Sequence, residues 1–194
     1  MTIMIPLALC LSYLLGSVPT GLWLGLYFKK IDIRKTGSGN IGATNTLRSL
    51  GKIYGLAALA FDVFKGWAAV VLFARLHGWE YLPIACGLAA VAGHTFSIFV
   101  WFRGGKGVAT SAGVFIGLAP AAAALAGVVF AAVVAVTRMV SAGSIAGAAA
   151  LSGAVFILPT PWPVRWFTLA VAALIILRHY SNIRRILRHE ENKL

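Results

Sequence analysis

The stretch VATSAGVFIGLAPAAAALAGVVFAAVVAV, Val108–Val136, carries no charge and is flanked by two cations, Lys106 and Arg138. In a membrane protein, cations gather on the cytoplasmic side. If both lie there, the chain crosses an even number of times between them. Two crossings fit, with a turn near Gly117–Ala121, where Pro120 interrupts the run. The crossings are cramped, because about 30 residues at ~1.5 Å each reach ~45 Å, short of twice the ~30 Å hydrocarbon core. One or both helices are therefore short, or part of the segment is re-entrant. Irregular backbone at membrane depth is tolerated only where protein buries it or it lines a wet cavity. A glycine-rich re-entrant loop next to Lys106 is thus a natural place for an active site.

Further apolar runs cover Ile3–Tyr27, Ile53–Phe73, Tyr81–Phe102, Ser144–Leu158 and Trp162–Leu177. The chain is 60% hydrophobic and 11% charged, against about 25% charged in soluble domains. A soluble fold of this size has no means of covering so much apolar surface. The expected class is all-α, a polytopic membrane protein of seven transmembrane helices, some short or re-entrant, forming one domain over residues 1–194. The first run lacks the flanks of a cleaved signal peptide and reads as a retained helix. Cys10 and Cys86 lie inside apolar runs and read as small core hydrophobes.

The net charge of +12 comes from 17 Lys and Arg against five acids, Asp32, Asp62, Glu80, Glu190 and Glu191. In a soluble protein such an excess points to nucleic acid. Here the cations fall in four zones, Lys29–Lys52, Arg103–Lys106, Arg138 and Arg178–Lys193, while the opposite side keeps only Arg75 and Arg165. Topology, anionic headgroups and an anionic substrate then explain the charge, and no nucleic-acid partner is expected. The zones place the N-terminus outside and the C-terminus in the cytoplasm. Acids this sparse make no carboxylate cage, so no metal or cofactor is expected.

Each basic zone also carries neutral hydrogen-bond donors. Gly37–Asn45 reads GSGNIGATN, with Lys35 and Arg48 flanking it. Glycines permit close backbone approach, and successive amides can form an anion-binding concavity to which Ser38, Asn40, Thr44 and Asn45 add side chains. The bland alternative is a glycine-rich turn between helices. Gly104, Gly105, Lys106 and Gly107 form GGKG, which lacks the spacing and strand of a nucleotide-binding P-loop. It leaves a lysine on flexible backbone beside a helix start, either a phosphate partner or a topological anchor. Arg138, Ser141 and Ser144 form a third cluster, although either serine serves equally as a helix N-cap. Arg178, His179 and Asn182 form a fourth, His179 and Asn182 being three apart and on one helical face. Four such clusters on one membrane face read as a converging pocket for a phosphorylated substrate. Asp62 and Lys65 share a face of one helix and read as a structural pair, and His94 reads as a buried packing element.

These motifs occur in a recognisable order. LLGSVPTG at Leu14–Gly21, GSGNIGATN with Arg48, FDVFKG at Phe61–Gly66, GHTFS at Gly93–Ser97, GGKGVAT at Gly104–Thr110 and RHYSNIRR at Arg178–Arg185 span nearly the whole chain. Together they closely resemble the bacterial acyl-phosphate:glycerol-3-phosphate acyltransferases, the PlsY family. The resemblance implies seven spans, the bacterial inner membrane, and a site open to the cytoplasm. It also implies acyl transfer from acyl phosphate to the 1-hydroxyl of glycerol 3-phosphate, giving lysophosphatidate and phosphate for phospholipid synthesis. Carried over by motif, Ser38, Lys106 and His179 are the expected catalytic groups. Asn40, Thr44, Asn45, Arg48, Gly104, Gly105, Ser141, Ser144 and Asn182 are expected around the substrates. Whether Ser141 or Ser144 binds stays open, as does His179 as base or binder. The expected chemistry is substrate-assisted, a substrate phosphate taking the hydroxyl proton. The rival reading is a small organic-phosphate or anion transporter using the same loops.

Overall fold

A computed structural model describes residues 3–194, and among them the regular elements are helical, with no strand. The chain falls into two compact units, residues 1–117 and 118–194.

The first unit holds α1 (Met4–Ser17), α2 (Thr20–Leu24, continued by a π-helical turn Gly25–Lys29), α3 (Ala43–Leu50), α4 (Lys52–Val71), α5 (Leu82–Thr95) and α6 (Val108–Leu118). The run Ile3–Tyr27 is therefore not one straight helix. It bends by 47° between α1 and the α2 segment. Pro19 is the cause: it has no N–H to donate back and strains the preceding turn. The Val18 carbonyl released by the break accepts the Lys65 ammonium at 3.1 Å. Lys65 in turn pairs with Asp62 at 2.8 Å, and Thr20 Oγ1 donates to Asp62 at 3.2 Å. The Asp62–Lys65 pair is thus present as expected, and it satisfies the backbone of a broken helix.

Small residues let these helices touch. A Cβ at Gly16 would run into the Ala90 carbonyl of α5, and one at Gly66 of α4 would run into the Thr110 carbonyl of α6. Such contacts are the usual means of association where lipid offers no hydrophobic drive between helices.

The second unit holds α7 (Pro120–Thr137), α8 (Val140–Ile157), α9 (Trp162–Arg178) and α10 (Tyr180–Leu187). Pro120 starts α7, so the cramped run does divide where expected, into an 11-residue α6 and an 18-residue α7. Among the described residues, four helices are long and apolar enough to cross a membrane, or up to six if each bent pair counts as one span. Aromatic residues gather at the start of α9, where Arg165 stacks 4.6 Å from the Trp162 ring.

Candidate active site

The first glycine loop is built by its own side chains. Asp32 caps a short turn at Ile33–Lys35, accepting the Arg34 N–H at 3.0 Å. Its carboxylate also grips the Arg34 guanidinium at 2.8–3.3 Å. That hydrogen-bonded guanidinium holds the Asp32 carboxyl at about 2, slight burial opposing it. Gly37 takes φ +57°, and a side chain there would strike Asn45 Oδ1. Asn45, 1% exposed, accepts the Ser38 N–H at 2.8 Å and donates to the carbonyls of Ile33 and Thr36 at 2.8 and 3.2 Å. Asn40 Oδ1 accepts the Gly42 N–H at 2.9 Å. Asn45 is therefore the brace of the loop, and the Ser38 amide is already engaged. What Ser38 offers a ligand is its exposed side chain.

The second loop hangs from the end of α5. Gly104 N–H donates to the Thr95 carbonyl at 3.1 Å, and Gly105 N–H to the His94 carbonyl at 3.0 Å. Neither glycine has room for a Cβ: one at Gly104 meets the His94 carbonyl and one at Gly105 meets the His94 ring. His94 is itself held from below, its Nδ1 3.1 Å from Thr110 Oγ1 and 3.9 Å from Asp62. Lys106 follows, half-buried, before α6 begins. The buried polar cluster of Asp62, Lys65 and His94 is the bed of the GGK loop, a role that periodicity alone does not disclose.

The two loops, about sixty residues apart in sequence, share one cavity of about 620 Å³. Arg34, Ser38 and Asn40 line it from the first loop segment, and Trp101, Arg103 and Gly104 from the second. Thr44, Asn45, Arg48, Gly105 and Lys106 are outside that lining. Arg34 and Arg103, counted from the sequence among the topological cations, both line this cavity.

In the second unit Arg138 ends α7 with φ +61°, and α8 begins beyond Met139. Neither Ser141 nor Ser144 is an N-cap, since both lie inside α8. Ser144 Oγ donates back to the Val140 carbonyl at 2.8 Å, and Ser141 Oγ donates to Glu191 Oε1 at 2.7 Å. His179 and Asn182 do not share one continuous helix. The chain bends by 57° at His179, between α9 and α10. His179 is 2% exposed and its Nδ1 lies 2.8 Å from the Ile175 carbonyl, so Nδ1 carries the proton. Asn182 Nδ2 donates to Glu191 Oε1 at 2.7 Å, and Arg185 Nε donates to Oε2 at 2.8 Å. Burial pushes the Glu191 carboxyl up, but hydrogen bonds from Asn182, Ser141 and Arg185, with the Arg185 charge, pull it below the usual glutamate range. Ser141 and Asn182 are thus brought together through an acid that the reading of motifs passed over.

Residues 6–189 match the family model described as glycerol-3-phosphate acyltransferase. The chain belongs to that family. It is 47% identical over 188 residues to glycerol-3-phosphate acyltransferase 2 of Moorella thermoacetica, covering 97% of this chain and 96% of that protein. It is 48% identical over 194 residues to the glycerol-3-phosphate acyltransferase of Streptococcus sanguinis, covering 96% and 90%. The crystal structure of PlsY (YgiH), an integral membrane glycerol 3-phosphate acyltransferase, in its glycerol 3-phosphate form superposes with a TM-score of 0.92. Identity to it is 34%, covering 98% of this chain and 95% of that one. The lysophosphatidic acid form of the same enzyme superposes at 0.90. The chain is accordingly an integral membrane acyltransferase of phospholipid synthesis.

Proposed function

We propose that this acyltransferase uses acyl phosphate as donor and releases 1-acylglycerol 3-phosphate and inorganic phosphate. The observation that carries the reading is the shared cavity: two glycine loops meet around it with two arginines and neutral donors. Acyl phosphate is a mixed anhydride, already activated, so catalysis consists mainly of holding two anions and orienting one hydroxyl. The 1-hydroxyl oxygen attacks the acyl carbon, and the carbon–oxygen bond to phosphate breaks. The hydroxyl proton passes to a phosphate oxygen, so no protein base is required. Lys106 stabilises the charge that develops on the carbonyl oxygen.

Ser38, Arg48 and Lys106 bind phosphate in the first unit, with Asn40, Thr44 and Asn45 shaping the loop. Ser144, His179 and Asn182 do so in the second. Between the two serines, Ser144 is the better donor to substrate: its bond back to Val140 is an ordinary intrahelical one, easily exchanged. Ser141 has committed its proton to a carboxylate. The proposed topology counts seven spans, namely the four long helices, the two bent pairs and the short α6. The excess of cations at the loops then faces the cytoplasm of a bacterial inner membrane, with the N-terminus outside.

The test supplies the protein in lipid with glycerol 3-phosphate and either palmitoyl phosphate or palmitoyl-CoA, and follows lysophosphatidate. Product from palmitoyl phosphate alone is expected. Product from the thioester alone overturns the donor assignment, and phosphate exchange across sealed vesicles without acylation would favour a transporter.

A further inference from the structure

Between Arg138 and Arg178 the chain carries a single charged side chain, Arg165. α8 is long and apolar enough to cross a membrane, and α9 passes the same test together with α10. The turn that joins α8 to α9 therefore lies at the height of the lipid headgroups. Arg165 stands one turn into α9 and is half-buried. Its Nε donates to the Thr160 carbonyl at 2.8 Å. Its guanidinium lies 4.6 Å from the Trp162 ring centroid and 5.6 Å from that of Phe156, within cation–π range of both. Trp162 in turn stacks on Trp166 at 6.4 Å and meets Phe156 edge-on at 6.3 Å.

One hydrogen bond and two rings thus fix the guanidinium in place and in orientation, and neither uses its Nη groups. Among the described residues those groups have no hydrogen-bond partner, and Arg165 joins no salt bridge. The turn itself offers an anion little else, because Pro159, Pro161 and Pro163 have no N–H. Around the cation the surface is apolar: Ile157, Trp162 and Trp166 are 82%, 60% and 62% exposed. A planar fork of donors, held in advance by its own platform, suits bidentate contact with a phosphate. The apolar side chains beside it suit hydrocarbon. A molecule that joins the two at headgroup height is a phospholipid, and a cation without an acid favours a negatively charged one. Arg75, the other cation outside the four basic zones, is exposed, and among the described residues its side chain has neither a ring contact nor a hydrogen bond.

We propose that Arg165, on its platform of Trp162 and Phe156, binds the headgroup phosphate of one anionic phospholipid such as phosphatidylglycerol. None of these residues lines the cavity or carries the acyl transfer. The full-length protein in neutral detergent is titrated with phosphatidylglycerol, and native mass spectrometry follows the lipids held per chain. Wild type is compared with Arg165→Gln, Arg165→Lys and Arg75→Gln. Arg165→Gln is expected to weaken one bound lipid about tenfold, through the loss of charge-assisted hydrogen bonds. Arg165→Lys keeps the charge without the fork and is expected to weaken it about threefold. Arg75→Gln should change no lipid affinity by more than about twofold, because an exposed lone cation contributes little. Acyl transfer by all three variants in detergent should stay within about twofold of wild type.

Lipid binding unchanged in Arg165→Gln overturns the proposal. So does an equal loss in Arg75→Gln, which would make the attraction one of charge alone. Diacylglycerol with the same chains should not fill the site, and its binding with equal affinity would show that no phosphate is read. Displacement of the lipid by millimolar inorganic phosphate would make this a free-anion site and also overturns the lipid assignment. Should Arg165→Gln fail to fold, Arg165→Lys decides: wild-type affinity there refutes the fork geometry.

Discussion

Replacing Asp62 by alanine tests whether the broken first span depends on the charge pair beneath it. Asp62 and Lys65 are 4% and 1% exposed at the side chain, and their contact is 2.8 Å. Removing the carboxylate leaves the Lys65 ammonium in the interior with the Val18 carbonyl, 3.1 Å away, as its remaining oxygen in this cluster. Thr20 Oγ1 loses its shorter bond as well, keeping only the Val18 carbonyl at 3.5 Å. Breaking a buried pair from one side costs about 3–5 kcal/mol, because an uncompensated charge stays behind. At about 2–4 °C per kcal/mol for a chain of this size, the melting temperature should fall by roughly 6–20 °C. The assay is thermal unfolding in one detergent for Asp62→Ala, Lys65→Met and the double variant Asp62→Leu/Lys65→Met. The double variant should lose less than Asp62→Ala, since it leaves no orphaned charge. A melting temperature for Asp62→Ala within about 2 °C of wild type refutes the reasoning. So does a double variant less stable than both singles.

Further outcomes follow from the loops. Gly105→Ala pushes the His94 ring and displaces the GGK segment; a shift of about 1 Å in a positioning group costs on the order of 100-fold in rate, so kcat with palmitoyl phosphate should collapse while the protein still purifies folded. Lys106→Ala and Arg48→Ala should each cut kcat/KM at least about tenfold, and unchanged kinetics in both removes the proposed site. Arg34→Ala should raise KM for glycerol 3-phosphate several-fold, checked by initial rates. The pH dependence of the clamp on Arg34 has a definite sign. Asp32 is depressed from 3.8 to about 2, so its contribution is complete above pH 3.8 and lost as pH falls through about 2. Between pH 5 and 8 the clamp should therefore add no titration to KM, whereas Asp32→Asn should raise KM at every pH.

The GSGNIGATN and GGKG loops stood out in the sequence because their residue types are wrong for a plain membrane turn, and residues of both line one cavity. Which side chains face that cavity was not legible. Asn45 stands among the motif's donors in sequence, yet folding turns it inward to brace the loop. Arg34 and Arg103 looked like topological charge and line the space. Side-chain direction depends on where the neighbouring backbone places its carbonyls, and no spacing rule encodes that.

The membrane class, the long apolar helices after the first run and the division at Pro120 belonged to the sequence alone. Hydrocarbon imposes length and polarity demands that act along the chain locally, so an apolar run reads the same before and after folding. The seat of the GGK loop on His94, the use of Asp62 and Lys65 to satisfy a proline break, and the capture of Ser141 and Asn182 by Glu191 belonged to tertiary structure. Each joins groups remote in sequence through hydrogen bonds whose value arises only once water has been excluded from between them.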